Sequence, residues 1–290
     1  MRILESELIL NPDGSIYHLN LLPDEIAPTI ITVGDQDRVE LISSHFDTIE
    51  LKKQHREFKT HTGTYKGKRI SVLSTGIGPD NIDIVFNELD ALVNIDFNTR
   101  LIKNQLTSLN IVRVGTSGGL QPEMEVDSIV ASDIGIGFDN LLHFYKGEPG
   151  LFDLDFSEAF VKHTNWNQDN SVPYVVHADP ELRKKFTSEN IKRGITTTNV
   201  GFYGPQGRIL RLALQDPGMN NKIASFEYNG RKVTNLEMET AAIYGMSKLL
   251  GHKALSLNVI LANRANGSFS SNPKAAMKRL IQQTLDIIVQ

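Results

Sequence analysis

The chain has 290 residues, of which 40% are hydrophobic and 22% are charged, and its formal net charge is −4. This composition is sufficient for a buried core and gives no reason to expect binding to nucleic acid. The sequence contains no cysteine, which excludes disulfides and thiol nucleophiles, and no apolar run long enough to cross a membrane. Because Glu5 and Glu7 would interrupt a signal peptide, we expect a cytoplasmic protein.

Strand-like and helix-like segments alternate along the chain. The pattern predicts strands near 29–33, 58–65, 69–75, 109–114, 127–134, 194–200 and 254–261, and helices near 37–45, 79–93, 180–189, 238–250 and 273–288. Such alternation favours an α/β sheet flanked by helices, and the hairpin predicted at 58–75 makes that sheet mixed. No linker or repeat divides the chain, so we expect a single domain over 1–290. Residues 139–178 are predicted to form long loops around one helix.

An anion-binding pattern follows the first predicted strand. The apolar run ends at Gly34, and Asp35 is placed to cap a helix whose first turn holds Arg38. Arg56 lies at the start of the predicted hairpin and adds another guanidinium. Taken singly, each arginine is also typical of a solvated surface charge.

The strand near 109–114 carries Arg113 and ends in a glycine-rich loop, where Thr116 adds a hydroxyl. Guanidinium groups, hydroxyls and loop amides together form a good phosphate site, and glycines let the backbone approach the ligand. The loop at Gly76 and Gly78 lacks the third glycine of a dinucleotide fingerprint, and neither loop ends in Gly-Lys-Ser/Thr. A nucleotide-dependent dehydrogenase or an NTPase is therefore disfavoured.

The stretch Phe202–Arg208 combines an aromatic ring, an amide and a guanidinium. Phe202 can cover the face of a flat heterocycle, Gln206 offers an acceptor beside a donor, and Arg208 can donate to a remaining carbonyl. Uracil presents such an edge. In isolation the same stretch is also typical of a strand that enters a turn.

Two carboxylates, Glu237 and Glu239, flank Met238 where a β-prone run meets a predicted helix. On an extended segment both would point to the same side and could accept hydrogen bonds from a sugar diol. Acidic residues also favour the first turn of a helix for electrostatic reasons.

In this order, the motifs resemble the uridine-cleaving members of the nucleoside phosphorylase-I family, from about residue 16 to the C-terminus. The matching stretches are Tyr17–Leu19, Gly34–Val39, Arg56–Phe58, Ser74–Gly78, Arg113–Gly119, Phe202–Arg208, Leu236–Glu239 and Asn263–Arg264. The resemblance implies a three-layer α/β sandwich with a central twisted mixed sheet, and reversible phosphorolysis of uridine in pyrimidine salvage.

The resemblance also implies a role for each matching residue. Those implied to hold phosphate are Gly34, Arg38, Arg113, Thr116 and, from a neighbouring subunit, Arg56. Those implied to bind the ribose are Glu237, Met238, Glu239 and, from the neighbour, His18. Those implied to hold uracil are Phe202, Gln206 and Arg208, with Asn263 and Arg264 in a supporting loop.

The amide of Asn263 stands where purine-cleaving relatives have an Asp that protonates the leaving base, so the resemblance disfavours purine substrates. It implies no cofactor, because inorganic phosphate is a co-substrate, and no metal. It leaves open a monovalent cation near Glu57, where Asn81 replaces the Ser of bacterial relatives. It further implies a homodimer as the minimal active unit, leaves a hexamer open, and leaves deoxyuridine and thymidine open as substrates.

Two other functions remain as alternatives. A nucleosidase would keep this fold and use water instead of phosphate, and a nucleoside-binding protein would use the same pocket without catalysis. A two-carboxylate glycosidase could use Glu237 and Glu239, but it leaves the arginines unexplained.

Overall fold

A computed structural model describes residues 2–147 and 149–290. Its strands are β1 Thr29–Val33, β2 Thr48–His55, β3 Phe58–Tyr65, β4 Lys68–Ser74, β5 Ile95–Asp96, β6 Leu101–Ile102, β7 Asn110–Gly119, β8 Ile129–Gly137, β9 Tyr174–His177, β10 Ile191–Thr198, β11 Glu227–Tyr228, β12 Arg231–Lys232, β13 Asn235–Glu237 and β14 Lys253–Asn263. Its α-helices are α1 Gln36–Ser43, α2 Pro79–Asn94, α3 Leu154–Thr164, α4 Pro180–Lys185, α5 Met219–Ser225, α6 Thr240–Leu250 and α7 Pro273–Val289.

The predicted mixed α/β sheet is confirmed. Its strands run in the order β13-β10-β8-β14-β7-β1-β4-β3-β2, and β9 pairs with β8. β1 is parallel to both β4 and β7, whereas β3 and β4 form the predicted antiparallel hairpin. Every residue of β1 and of β8 is buried, so both strands lie in the interior of the protein.

One end of the sheet closes on itself, which the sequence did not predict. The short strand β13 pairs in parallel with β10 and in antiparallel fashion with β7, where Leu236 lies opposite Gly118. The strands β7, β14, β8, β10 and β13 therefore form a closed ring. This closure brings the end of β13 next to the glycine-rich part of β7.

Several boundaries differ from the prediction. The helix predicted at 180–189 ends at Lys185, and the one predicted from 238 begins at Thr240. The sequence did not predict β2, an exposed edge strand rich in charged residues, because such a strand has no apolar periodicity. Within 139–178 the one expected helix is α3, and β9 is a strand that the sequence did not predict. Glu148 of this range and Met1 of the predicted domain lie outside the described residues.

None of the described helices has the length and apolar character that spanning a membrane requires.

The loops that end three strands meet at one edge of the sheet. Because β1 and β4 are parallel neighbours, Gly34 and Gly76 follow their strands side by side, and a Cβ on Gly34 would lie 3.4 Å from the Gly76 carbonyl oxygen. The helices α1 and α2 begin directly after these loops, and α6 begins after β13. Three helix N-termini therefore lie close to the same edge, and each presents the positive end of its dipole there.

Candidate active site

A cavity of about 920 Å³ opens at this edge. Its volume is typical of sites that enclose a small organic ligand. Among the predicted site residues, those that line the cavity are Gly34, Arg38, Arg113, Thr116, Phe202, Gln206, Arg208, Glu237, Met238 and Glu239. The fold therefore brings together residues that are up to about two hundred positions apart in the sequence.

Arg113, on β7, lies in the buried part of the cavity between two carboxylates. Its Nη2 is 3.1 Å from Glu237 Oε2 and also contacts the Glu239 carboxylate. Burial alone would lower the pKa of Arg113, but these carboxylates outweigh it, so the pKa is raised. Burial raises the pKa of Glu239 in spite of the opposing charge of Arg113. The carboxylate pair and the guanidinium thus form one buried charged cluster.

The sequence predicted that the two carboxylates extend side by side from one extended segment. In the structure only Glu237 belongs to the strand. Glu237 ends β13, and its carboxylate accepts hydrogen bonds from the backbone N–H groups of Glu239 and Thr240 and from the Thr198 hydroxyl. Glu239 occupies the N-cap position of α6 and accepts from the Gly78 N–H at 2.9 Å. Glu237 therefore fixes the start of α6, and Glu239 joins α6 to the loop before α2.

The cavity also carries a second guanidinium. Asp35 caps α1 by accepting from the Asp37 N–H, and this places Arg38 in the first helical turn as predicted. Arg38 Nη1 donates to the Val114 carbonyl oxygen at 3.3 Å. Burial, and secondarily the positive charge of Arg113, lower the pKa of Arg38. An anion between the two guanidinium groups would relieve this repulsion.

The predicted base-binding segment forms a short 3₁₀ turn at Gly204–Gln206. Gln206 is buried, and its Oε1 accepts a hydrogen bond from Arg208 Nη1. The Arg208 guanidinium lies over the half-exposed Phe202 ring, with Cζ 3.8 Å from the ring centroid. Burial, with a smaller contribution from Arg264, lowers the pKa of Arg208. In this structure Phe202 packs against Arg208, so it supports the guanidinium as well as lining the cavity.

Asn263 and Arg264 do not line the cavity and instead hold the surrounding loops. Arg264 Nη2 lies 3.3 Å from the carbonyl oxygen of Gly207, which brings it to the base-binding segment. Asn263 is buried; its Nδ2 donates to two backbone carbonyls and its Oδ1 accepts from two backbone N–H groups. This amide has no hydrogen-bonding capacity left for a base, so it affects base choice only through the loop that it holds.

His18 and Arg56 also lie outside the cavity of their own chain. His18 Nδ1 is 2.7 Å from Glu88 Oε1, and Arg56 Cζ is 6.0 Å from the Tyr17 ring centroid. The carbonyl oxygen of His18 is 3.1 Å from the His55 ring, so the two segments are neighbours. Arg56 is exposed and has a left-handed φ of 54°, which is uncommon for a residue other than glycine.

The sequence did not identify several residues that line the cavity. These are chiefly Ile77, Leu261, Ala262 and Phe269; Asn81, which the resemblance associated with a monovalent cation near Glu57, also lines the cavity. Ala262 forms an isolated antiparallel bridge with Phe269, and the pairing of β14 with β7 shifts register between Ile260 and Ala262. A register shift of this kind re-aims side chains, and single-sequence periodicity gives no signal for it. No group of three or more His, Asp or Glu residues suited to a metal ion occurs within 2–147 and 149–290.

Comparisons with known proteins agree with this geometry. Residues 28–290 match the model of the phosphorylase superfamily. A uridine phosphorylase of Thermococcus kodakarensis is 27% identical, over 100% of this chain and 92% of its own length, and a DeoD-type purine nucleoside phosphorylase of Listeria monocytogenes is 26% identical over 83% and 84%. A solved Trypanosoma brucei nucleoside phosphorylase, described as showing uridine phosphorylase activity, superposes with a TM-score of 0.88 at 31% identity over 98% of this chain and 99% of its own.

Proposed function

The chain belongs to the phosphorylase superfamily, and on that basis we propose that it is a pentosyltransferase that catalyses the reversible phosphorolysis of uridine to uracil and ribose 1-phosphate. Phosphate is the co-substrate, and the reaction needs no cofactor. The observation that carries the proposal is the placement of the Arg113–Glu237–Glu239 cluster and the Gln206–Arg208 pair in one cavity.

The chemistry explains why such a cavity needs no nucleophile from the protein. Breaking the N-glycosidic bond creates positive charge on the ribose and negative charge on the departing base. Phosphate bound by Arg38 and Arg113, with the backbone at Gly34 and the hydroxyl of Thr116, is both the nucleophile and the counter-charge. The protein contributes orientation and electrostatic stabilisation.

The ribose fits beside this phosphate. Glu239 is a buried acceptor that touches Arg113, so an acceptor for sugar hydroxyls lies next to the proposed phosphate site. Met238 lines the same wall and supplies an apolar surface for the sugar ring. Glu237 supports the ribose site indirectly, because its carboxylate oxygens cap α6 and contact Arg113.

The base pocket fits uracil. Arg208 already donates to Gln206 Oε1, so the amide is oriented with Nε2 free to donate. Uracil can depart as an anion that is spread over its carbonyl oxygens, and the guanidinium and the amide N–H stabilise that charge. A purine needs protonation of its ring, and this pair presents no carboxylic acid near the base.

The charge balance supports a site that is shared between subunits. Within one chain the cavity is lined by three arginines and by five carboxylates, Asp35, Asp37, Glu57, Glu237 and Glu239, so an additional cation would favour binding of a phosphate dianion. Arg56 is exposed, unpaired with any carboxylate within 4.0 Å among the described residues, and held in a strained conformation beside the segment of His18. In a homodimer, Arg56 of one subunit supplies this charge to the other and His18 contacts the ribose 5′-hydroxyl.

The experiment that tests the proposal is a turnover assay over uridine, deoxyuridine, thymidine and inosine, each with and without phosphate. We expect phosphate-dependent cleavage of uridine and very little cleavage of inosine. The same assay determines the preference between uridine and deoxyuridine or thymidine, which the sequence leaves open. Equal turnover of inosine and uridine would overturn the assignment of the base pocket.

A further inference from the structure

Asn258, in the middle of β14, contacts the back of the proposed phosphate site without lining the cavity. Its side chain is fully buried, and its Oδ1 accepts a hydrogen bond from Arg113 Nη1 at 2.5 Å. Arg113 Nη2 is engaged by Glu237 and Glu239 on the other side. The amide is therefore the neutral partner of a guanidinium whose remaining contacts are carboxylates.

The neighbours of Asn258 determine which way its amide points. Nδ2 lies 3.1 Å from Ser256 Oγ and 3.4 Å from Ser132 Oγ, and Ser256 Oγ in turn accepts from the Thr240 hydroxyl. Since a guanidinium has only donors, the oxygen of the amide must face Arg113 and its NH₂ group must face the hydroxyls. The orientation of Asn258 is thus fixed by residues of β8, β14 and α6.

The absence of a side chain at residue 115 leaves room for this contact. Asn258 is paired with Gly115 across β14 and β7. A Cβ on Gly115 would lie 2.0 Å from Arg113 Nη1 and 2.8 Å from Asn258 Oδ1, so a side chain there would displace the guanidinium from Asn258. The guanidinium folds back over its own strand into this gap and meets Asn258 there.

From this geometry we propose that Asn258 is a positioning residue for phosphate binding. It holds Nη1 of Arg113 so that the guanidinium cannot rotate fully onto Glu237 and Glu239. An amide does so without adding a negative charge that would compete with the anion, whereas an aspartate of the same shape would add one. The inference rests on the proposed function, because it assigns Asn258 to the phosphate that the reaction consumes.

The test measures the dissociation constant of inorganic phosphate by titration calorimetry, together with the Michaelis constants for phosphate and uridine. Asn258→Leu keeps the side-chain shape and removes the acceptor, and Asn258→Ser serves as a second variant if the first does not fold. The matched control is Asn94→Leu, since Asn94 is likewise buried and makes three hydrogen bonds, but it lies at the far end of α2.

We expect Asn258→Leu to weaken phosphate binding about tenfold or more, because it removes a hydrogen bond to a charged group, while the Michaelis constant for uridine changes much less. Asn94→Leu should lower thermal stability without weakening phosphate binding more than it raises the Michaelis constant for uridine. In an Arg113→Ala background, Asn258→Leu should have no further effect on phosphate, since the two residues act as one unit.

Equal phosphate affinity in the wild type and in both folded Asn258 variants would overturn the inference. The inference would also be overturned if Asn258→Leu weakened phosphate binding by the same factor in the Arg113→Ala background as in the wild type. A wild type that cleaves uridine but neither binds nor requires phosphate would instead overturn the proposed function, and the positioning role with it.

Discussion

The buried charged cluster and the base-binding segment face the same cavity but are built in opposite ways. Arg113, Glu237 and Glu239 are each less than 10% exposed, and they sit on or directly after strands of the closed ring. Phe202 and Arg208 flank the short turn Gly204–Gln206, and Phe202 is 51% exposed. The charged cluster is thus buried throughout, whereas the base-binding segment combines the buried Gln206 with a half-exposed aromatic ring.

Relatives of this chain are named for uridine and for purine nucleosides. Groups that stabilise charge in the transition state must be held in place before the substrate arrives, and strand ends and helix starts provide that rigidity. A turn can change its residues without disturbing the sheet. The comparison predicts that substitutions in the cluster damage the reaction with every substrate, whereas substitutions in the turn damage it selectively.

The largest effect is expected for Arg113→Ala. It removes a charge-assisted contact to phosphate and leaves Glu237 and Glu239 buried without their partner, so kcat should fall and the Michaelis constant for phosphate should rise, with a combined cost of ~2–5 kcal/mol. Steady-state kinetics with varied phosphate measure this. Arg183→Ala is the matched control, because Arg183 forms an ion pair with Asp133 and does not line the cavity. If both variants lose the same factor, the loss reflects stability and not phosphate binding.

The next test asks whether the active site is complete within one chain or takes Arg56 from a second chain. An Arg56→Ala chain and a Glu239→Ala chain should each be nearly inactive when assayed alone. In mixed dimers one of the two sites carries neither substitution, so an equimolar mixture should recover about one quarter of wild-type activity. Tagged chains purified in tandem would confirm that mixed oligomers have formed. No recovery in such a sample would show that the site is not shared.

In the base-binding segment, Arg208→Ala should cost less, ~1.5–3 kcal/mol in kcat/KM for uridine, because the guanidinium is only half-buried. The loss should be smaller with 5-fluorouridine, whose base is a better leaving group and needs less stabilisation of its anion. Competition kinetics with the two nucleosides measure the difference. An identical loss with both substrates would mean that Arg208 binds the base without assisting its departure.

The smallest expected effect concerns pH and the stability of the cluster. Burial raises the pKa of Glu239 above its ordinary value of 4.5, so the folded protein binds this proton more tightly than the unfolded chain. That contribution to stability is present below pH 4.5 and is lost as the pH rises through the raised pKa. Relative to Glu239→Gln, the free energy of unfolding of the wild type should therefore fall above pH 4.5, by at most ~1.4 kcal/mol per pH unit. Urea unfolding at several pH values checks this, and parallel curves would contradict the assignment.

Local sequence patterns predicted the elements of the scaffold well. The run before Gly34, the cap at Asp35 and the hairpin at 58–75 each depend on neighbouring residues, and the structure has all of them. The closure of the ring through β13 could not be predicted, because a three-residue strand pairs with partners far away in the chain.

The candidate site was predictable in its residue types but not in its contacts. The order of motifs gave the arginines and carboxylates, but no pattern indicated that Glu237 turns back to cap α6 or that the amide of Asn263 is used up by backbone groups. Asn258 was visible only as a polar residue within an apolar strand. Its contact with Arg113 depends on strand register and on the absence of a side chain at Gly115, and both are tertiary features.

The most direct test of the central claim is to identify the atom that attacks the ribose. The reaction should be run with uridine and phosphate in water enriched in ¹⁸O, and the sugar product analysed by mass spectrometry. If phosphate held by Arg38 and Arg113 is the nucleophile, the product is ribose 1-phosphate without the label, and none forms when phosphate is omitted. Release of free ribose in place of ribose 1-phosphate, at a rate independent of phosphate, would show that water attacks and would contradict the account.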